Sequence, residues 1–229
     1  MAAEPIQTSL NAFGSLQRFV RRTGSGERCE LCGAGVAAEH EHLIEPDKRR
    51  LVCVCQACAI LFGGQSGHLG SVTGRYKRVP SRIRFLRGFR LTDAHWDSLL
   101  VPINMAFFFA SSASGSASSK MIAVYPSPAG ATESLLPLET WDQIAAENPE
   151  LQTMEADVEA LLVNRLGAGR GFPVNQYFLL PIDQCFKLVG LVRTNWRGLS
   201  GGTELWWELE RFFAALNARA GSAAGQHHA

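Results

Sequence analysis

The chain has no long apolar run. Its longest, Leu99 to Ala110, is interrupted by Pro102 and Asn104. That falls short of the roughly 20 residues a membrane-spanning helix needs. No stretch of about 7–15 apolar residues opens the chain, as a secretory leader would require. Glu4 and Pro5 come early instead, so a cytoplasmic setting is the expectation. Internal repeats are lacking too, which sets aside repeat architectures. Net charge is nearly absent, with 22 Lys+Arg against 21 Asp+Glu and a formal value of +1. Charged residues make up only 19% and apolar residues 46%, the balance of a folded globular chain and not of a disordered one. With 229 residues there is enough chain for one ordinary domain and a small satellite.

The neutral total hides an asymmetry. Residues 1–90 carry 14 Lys+Arg and 7 Asp+Glu, a local balance of +7, and the remainder balances at −6. Such a division points to partners or to self-docking.

Apolar periodicity gives a coarse outline. Ser9 could cap a helix over 10–22, with Leu10, Phe13, Leu16 and Val20 on one face, and 23–26 is a linker. Residues 103–110 read as a buried strand, 111–119 as a low-complexity loop, and Lys120–Tyr125 as the returning strand. Pro126, Pro128 and Gly130 break the regularity. Leu138–Glu147 reads as a helix, 158–164 as a strand ahead of Gly167, Gly169 and Gly171, and Tyr177–Leu180 as another strand. Two helices follow. One carries Ile182, Cys185, Val189, Val192 and Trp196 on one face, the other Leu205, Leu209, Phe212 and Leu216. The expected organisation is an N-terminal helix and linker (1–27), a Cys-rich ribbon (28–62), a Gly/Ser loop and basic connector (63–90), an α+β domain with a mainly antiparallel sheet and packed helices (91–217), and a disordered tail (218–229).

The strongest chemical signal is Cys29-x-x-Cys32, then Cys55-x-x-Cys58 after a spacer of about twenty residues. Two such pairs are the pattern of a tetrahedral four-thiolate site. Each tight turn aims two sulfurs at one point, and a hairpin between the pairs folds the second turn against the first. That hairpin is legible: His40–Ile44 leads into Pro46–Arg49, and Leu51–Cys55 returns. Gly33 supplies the positive φ a knuckle often needs, whereas Ala59 makes the second turn less standard. Zn²⁺ in a ribbon and iron in a rubredoxin-like centre both use Cys₄ tetrahedra, so the cofactor is Zn or Fe. A segment this short, with few large apolar residues, needs a metal to fold.

Cys53 is a fifth thiol. With 46–49 as the turn, His42 faces Cys53 and His40 faces Cys55, and the four share one strand face. Cys53, His40 and His42 are either packing and supporting residues around the site or additional ligands. Cys185 lies in an apolar helical stripe and reads as core.

Two further features bear on partners. Residues 75–90 hold Arg75, Lys77, Arg78, Arg82, Arg84, Arg87 and Arg90 with three aromatics and no acid. Such a tract can bind nucleic acid. It can equally be a basic strand pair that docks on the acidic half of its own chain or on an acidic protein. Between the last two helices, Arg193, Arg197, Ser200, Gly201 and Gly202 form a candidate anion site. The loop lacks the Lys and spacing of a phosphate-binding P-loop, and a capped turn is the plainer reading. No Ser–His–Asp or Cys–His set is recognisable, so the expectation leans away from an enzyme.

The runs CELCG at Cys29–Gly33, LVCVCQACAILF at Leu51–Phe62, YPSPAGATESLLPL at Tyr125–Leu138, EALLVNR at Glu159–Arg165 and PIDQCFKLVGLVRTNWRGLSGG at Pro181–Gly202 carry a resemblance. Over roughly residues 28–217 the chain resembles an uncharacterised bacterial family encoded beside uptake nickel–iron hydrogenases. The resemblance implies an accessory protein whose partners are hydrogenase subunits or maturation proteins. A zinc-ribbon nucleic-acid-binding regulator and a rubredoxin-like electron carrier are the alternatives.

Overall fold

The computed structural model describes residues 27–64, 75–112, 120–134, 136–167, 175–198 and 200–225. The helix expected over 10–22, the 23–26 linker, most of the Gly/Ser loop and residues 113–119 lie outside these. The fold is α+β with antiparallel sheets.

A small sheet leads. Strand β1 (Glu41–Glu45) turns through Pro46–Lys48 into β2 (Arg50–Val54). Pro46 starts the turn and Arg49, at φ 48°, ends it in the left-handed region. The register pairs Ile44 with Leu51 and His42 with Cys53, as the position of the turn predicts. A short helix α1 (Gln56–Phe62) follows, then β3 (Lys77–Arg78), which adds to the other edge of β1.

The large sheet has six strands. Its edge is β4 (Arg84–Phe85), and the rest are β5 (Met105–Ser111), β6 (Lys120–Ser127), β7 (Gly130–Ser134), β8 (Glu159–Asn164) and β9 (Gln176–Pro181). The order is β4-β9-β8-β5-β6-β7. Helices α2 (Asp93–Ser98) and α3 (Leu138–Glu147) accompany one face, and α4 (Ile182–Asn195) and α5 (Gly202–Gly225) cover the other.

Strand alternation divides the core in two. Met105, Phe107, Phe109, Leu162, Phe178 and Leu180 pack with Cys185, Leu188, Leu209 and Phe213 of α4 and α5. Ala106, Phe108, Leu161, Val163 and Leu179 pack with Trp96, Trp141 and Ile144. Both faces are covered, so β8 and β9 are buried at every position, and their inner stretches 160–163 and 177–180 read as unbroken apolar runs.

Three details depart from the sequence pattern. Residues 130–134 form β7, where prolines led us to expect irregular chain. The β5 ladder on β6 ends at Val124, so Pro126 faces only β7 and its missing N–H breaks no bond to β5. The basic tract does not form a strand pair: β3 joins β1, and β4 joins β9. Helix α5 also runs well past residue 217, into the expected disordered tail. Ala220 is buried against the core and Arg219 donates to Gln184, which holds the extra turns down.

Candidate metal centre

The first cysteine pair sits on a tight turn. Gly33 N–H donates to the Cys29 carbonyl at 2.8 Å, and Cys29 N–H to that of Ala34 at 2.8 Å. Gly33 has φ +75°, the conformation glycine adopts without strain. Glu30 ties this turn to β2: its N–H donates to the Cys53 carbonyl, and its carboxylate accepts from Cys53 N–H, both at 2.8 Å. The second pair opens α1. Cys55 is its extended N-cap and Cys58 lies one turn in, so Ala59 is a helical residue and no glycine is required there.

The four thiols converge. The Sγ atoms of Cys29, Cys32, Cys55 and Cys58 all lie within 4.8 Å of one another, and Cys32 and Cys55 approach to 3.7 Å. A tetrahedron with metal–sulfur bonds of about 2.3 Å has sulfur–sulfur edges of about 3.8 Å, so this donor set fits a metal ion. Cys29 and Cys58 are buried and Cys32 is exposed. Burial works against a charge on Cys29, but the backbone N–H groups of Cys55, Cys32 and Leu31 outweigh it and bring the thiol to about 6. Burial, then the neighbouring sulfurs, pushes Cys58 far upward. A metal ion would replace the protons that hold the other sulfurs together. The apolar core under the cluster is small, with Leu43, Val52, Val54 and Ala59 as its buried apolar residues besides the cysteines.

Helix α1 is held by close approach. A Cβ on Gly63 would meet the Ala59 carbonyl oxygen at 2.6 Å, the Arg78 Cβ at 2.8 Å and a Leu43 methyl at 2.8 Å. Gly63→Ala should therefore push α1, and Cys58 with it, off the small sheet. Overpacking of this kind costs about 1–3 kcal/mol. The check is a lowered urea midpoint together with faster metal transfer to a chromogenic chelator.

His40, His42 and Cys53 form a second group. One ring nitrogen of each histidine and the Cys53 sulfur lie within 4.8 Å of one another, and the two rings are 4.7 Å apart. Burial, then the charges of Glu30, Glu27 and Cys29, raises the Cys53 thiol. Cys185 is fully buried and raised by burial, as a core residue would be.

The basic tract spends most of its charge inside the chain. Arg75 pairs with Glu45 at 2.8 Å, Lys77 with Asp157 at 2.6 Å, Arg78 with Glu41 at 2.8 Å and Arg82 with Glu159 at 3.2 Å. Arg84 donates to the Thr153 hydroxyl at 2.6 Å. Asp157 and Glu159 are buried, so the tract supplies the charge that lets them stay there. Arg87 and Arg90 are exposed and have no ion pair among the described residues.

Glu45 also accepts from Lys48, and that bond is the main cause that holds its carboxyl below the ordinary 4.5. Burial opposes the shift and Arg75 adds to it. A depressed folded value means the contribution is complete above about pH 4.5 and is lost as the pH falls through the folded value. Thermal midpoints below pH 4.5 should thus fall more steeply in the native chain than in Glu45→Gln.

The proposed anion loop is closed on itself. Arg197 N–H donates to the Gly201 carbonyl at 3.1 Å, and its guanidinium donates to the carbonyls of Thr194 and Trp196, each at 3.0 Å. Gly201 is buried at φ +90° and Gly202 has φ +79°. Arg193 and Ser200 are exposed. Arg197 thus caps the carbonyl end of α4.

Sequence reasoning missed Asp183, which lies at the start of α4. Its Oδ2 meets His42 Nδ1 at 3.1 Å. The two are remote in sequence, and only the docking of α4 beside the small sheet brings them together.

A family model described as a family of unknown function (DUF5947) matches residues 28–220. No curated protein matches the chain. No solved structure matches it.

Proposed function

The chain belongs to the DUF5947 family of unknown function, and we propose that it is a metal-binding accessory protein that works through protein–protein contacts. The convergence of four thiols within 4.8 Å carries the reading. In it, Cys29, Cys32, Cys55 and Cys58 hold one Zn²⁺ whose part is to order the ribbon. The contact surface would be the end of α1, where Ile60, Leu61 and Phe62 are exposed just beyond Cys58. Three adjacent exposed apolar side chains beside a rigid metal knuckle suit a protein partner better than solvent. Arg87 and Arg90 would add positive charge for an acidic partner.

The resemblance to proteins encoded beside nickel–iron hydrogenases makes hydrogenase subunits or their maturation proteins the partners proposed here. Deletion of the gene in a host that carries it beside such a hydrogenase should impair maturation. Normal processing and activity in the deletion strain would contradict the assignment.

The exposure of Cys32 favours a second reading, in which iron at the same cluster exchanges electrons through that sulfur. Iron would make the protein coloured and reducible, and zinc would leave it colourless. A nucleic-acid role draws less support, because five of the seven bases in the tract are engaged within the chain. No helix among the described residues is long and apolar enough to cross a membrane.

A further inference from the structure

We infer that His40, His42 and Cys53 form a second metal site, separate from the four-thiolate cluster, that takes one borderline-soft divalent transition metal ion with an open position facing a cavity. Two imidazoles and one thiolate are the ligand chemistry such ions prefer, and three protein ligands with a free fourth position mark sites that meet exogenous ligands.

Hydrogen bonding prepares both rings. His40 Nδ1 lies 2.8 Å from the Ala37 carbonyl oxygen, which can only accept, so this nitrogen carries the proton. The lone pair of the neutral ring is then on Nε2. The His40 side chain is only 8% exposed, and its Nε2 is buried without a hydrogen-bond partner among the described residues. A buried acceptor left in this way costs free energy unless something occupies it. His42 is arranged alike: Nδ1 faces the Asp183 carboxylate at 3.1 Å, which fixes the ring and leaves Nε2 as the donor atom. A carboxylate behind a metal-bound imidazole orients the ring and raises its basicity. Asp183 Oδ1 is likewise buried and without a partner among the described residues.

Cys53 completes the set from the neighbouring strand. It stands opposite His42 in the β1–β2 ladder, and its backbone is pinned to Glu30 on both sides. One ring nitrogen of each histidine and the Cys53 sulfur already lie within 4.8 Å of one another, close to the spread of donors around one ion with metal–nitrogen and metal–sulfur bonds of about 2.0–2.3 Å. All three residues line a cavity of about 860 Å³ between the small sheet and the start of α4. Asp183, Lys187 and Arg219 face it from the helices. The volume is that of a small-molecule site.

The test is anaerobic Co²⁺ titration of the full chain, followed by visible and X-ray absorption spectra. Two equivalents are expected, the first all-sulfur and the second with nitrogen and one sulfur. Cys53→Ser should retain the first and weaken the second at least 100-fold. His42→Gln, at a more exposed position, should weaken the second about 10–100-fold and leave the all-sulfur spectrum unchanged. Cys32→Ser should alter the all-sulfur spectrum and leave the second equivalent, which separates failure of this site from failure of the four-thiolate reading. A single equivalent in the native chain would overturn the inference. So would a second equivalent that Cys53→Ser and His42→Gln both leave intact.

Discussion

Removal of the metal from the Cys29–Cys32–Cys55–Cys58 cluster is expected to unfold residues 28–62 and to leave the large sheet folded. The apolar core beneath the cluster is a handful of residues, Leu43, Val52, Val54 and Ala59 among them. Burial of so few side chains, at about 1.5–3 kcal/mol each, is of the order of the entropy lost by only a few ordered residues. Metal binding has to supply the rest, and structural Zn²⁺ contributes about 10–16 kcal/mol of apparent free energy in small ribbons. The large sheet has no such need, because both of its faces are covered by helices. Hydrogen exchange with a chelator present should show β1, β2 and α1 losing protection while β5, β8 and β9 keep theirs. Uniform protection throughout would mean that the ribbon holds without its metal.

Phe178→Ala is expected to cost about 3–5 kcal/mol, a large share of the about 5–15 kcal/mol that stabilises a domain. Phe178 is fully buried on β9. It meets Phe85 edge-on at 5.2 Å between ring centroids and Phe213 of α5 at 6.2 Å. It is also the ladder partner of Phe85, so it joins β4, within the basic tract, to the core. Truncation leaves a cavity at a three-way contact between β4, β9 and α5. Phe178→Leu should recover most of the loss, because it removes volume without emptying the site. Urea unfolding of the two variants, compared at equal m-value, gives the difference.

The parts legible in the sequence were those with local causes. The central stretches of β5, β8 and β9 are apolar runs because both faces are buried, and α3 ends where Asn148-Pro149 forbids another turn. The β1–β2 register followed from Pro46 and Arg49 alone, which is why His42 could be placed opposite Cys53. The pairs of β3 with β1 and β4 with β9 had no local signal. Each strand is two residues long, and what holds it is a partner far along the chain. The ion pairs of Lys77 with Asp157 and Arg82 with Glu159 were visible only in aggregate, as opposite charge in the two halves. At the site, cysteine spacing announced the four thiols, whereas Asp183 beside His42 is a product of tertiary docking.

The most direct measurement is metal content and X-ray absorption of natively purified protein carrying Cys53→Ser, so that only the four-thiolate cluster reports. The account predicts one tightly held zinc or iron ion per chain, with four sulfur neighbours at about 2.3 Å. A chain that purifies free of metal, with the thiols of Cys29, Cys32, Cys55 and Cys58 open to alkylation in the folded state, would contradict it.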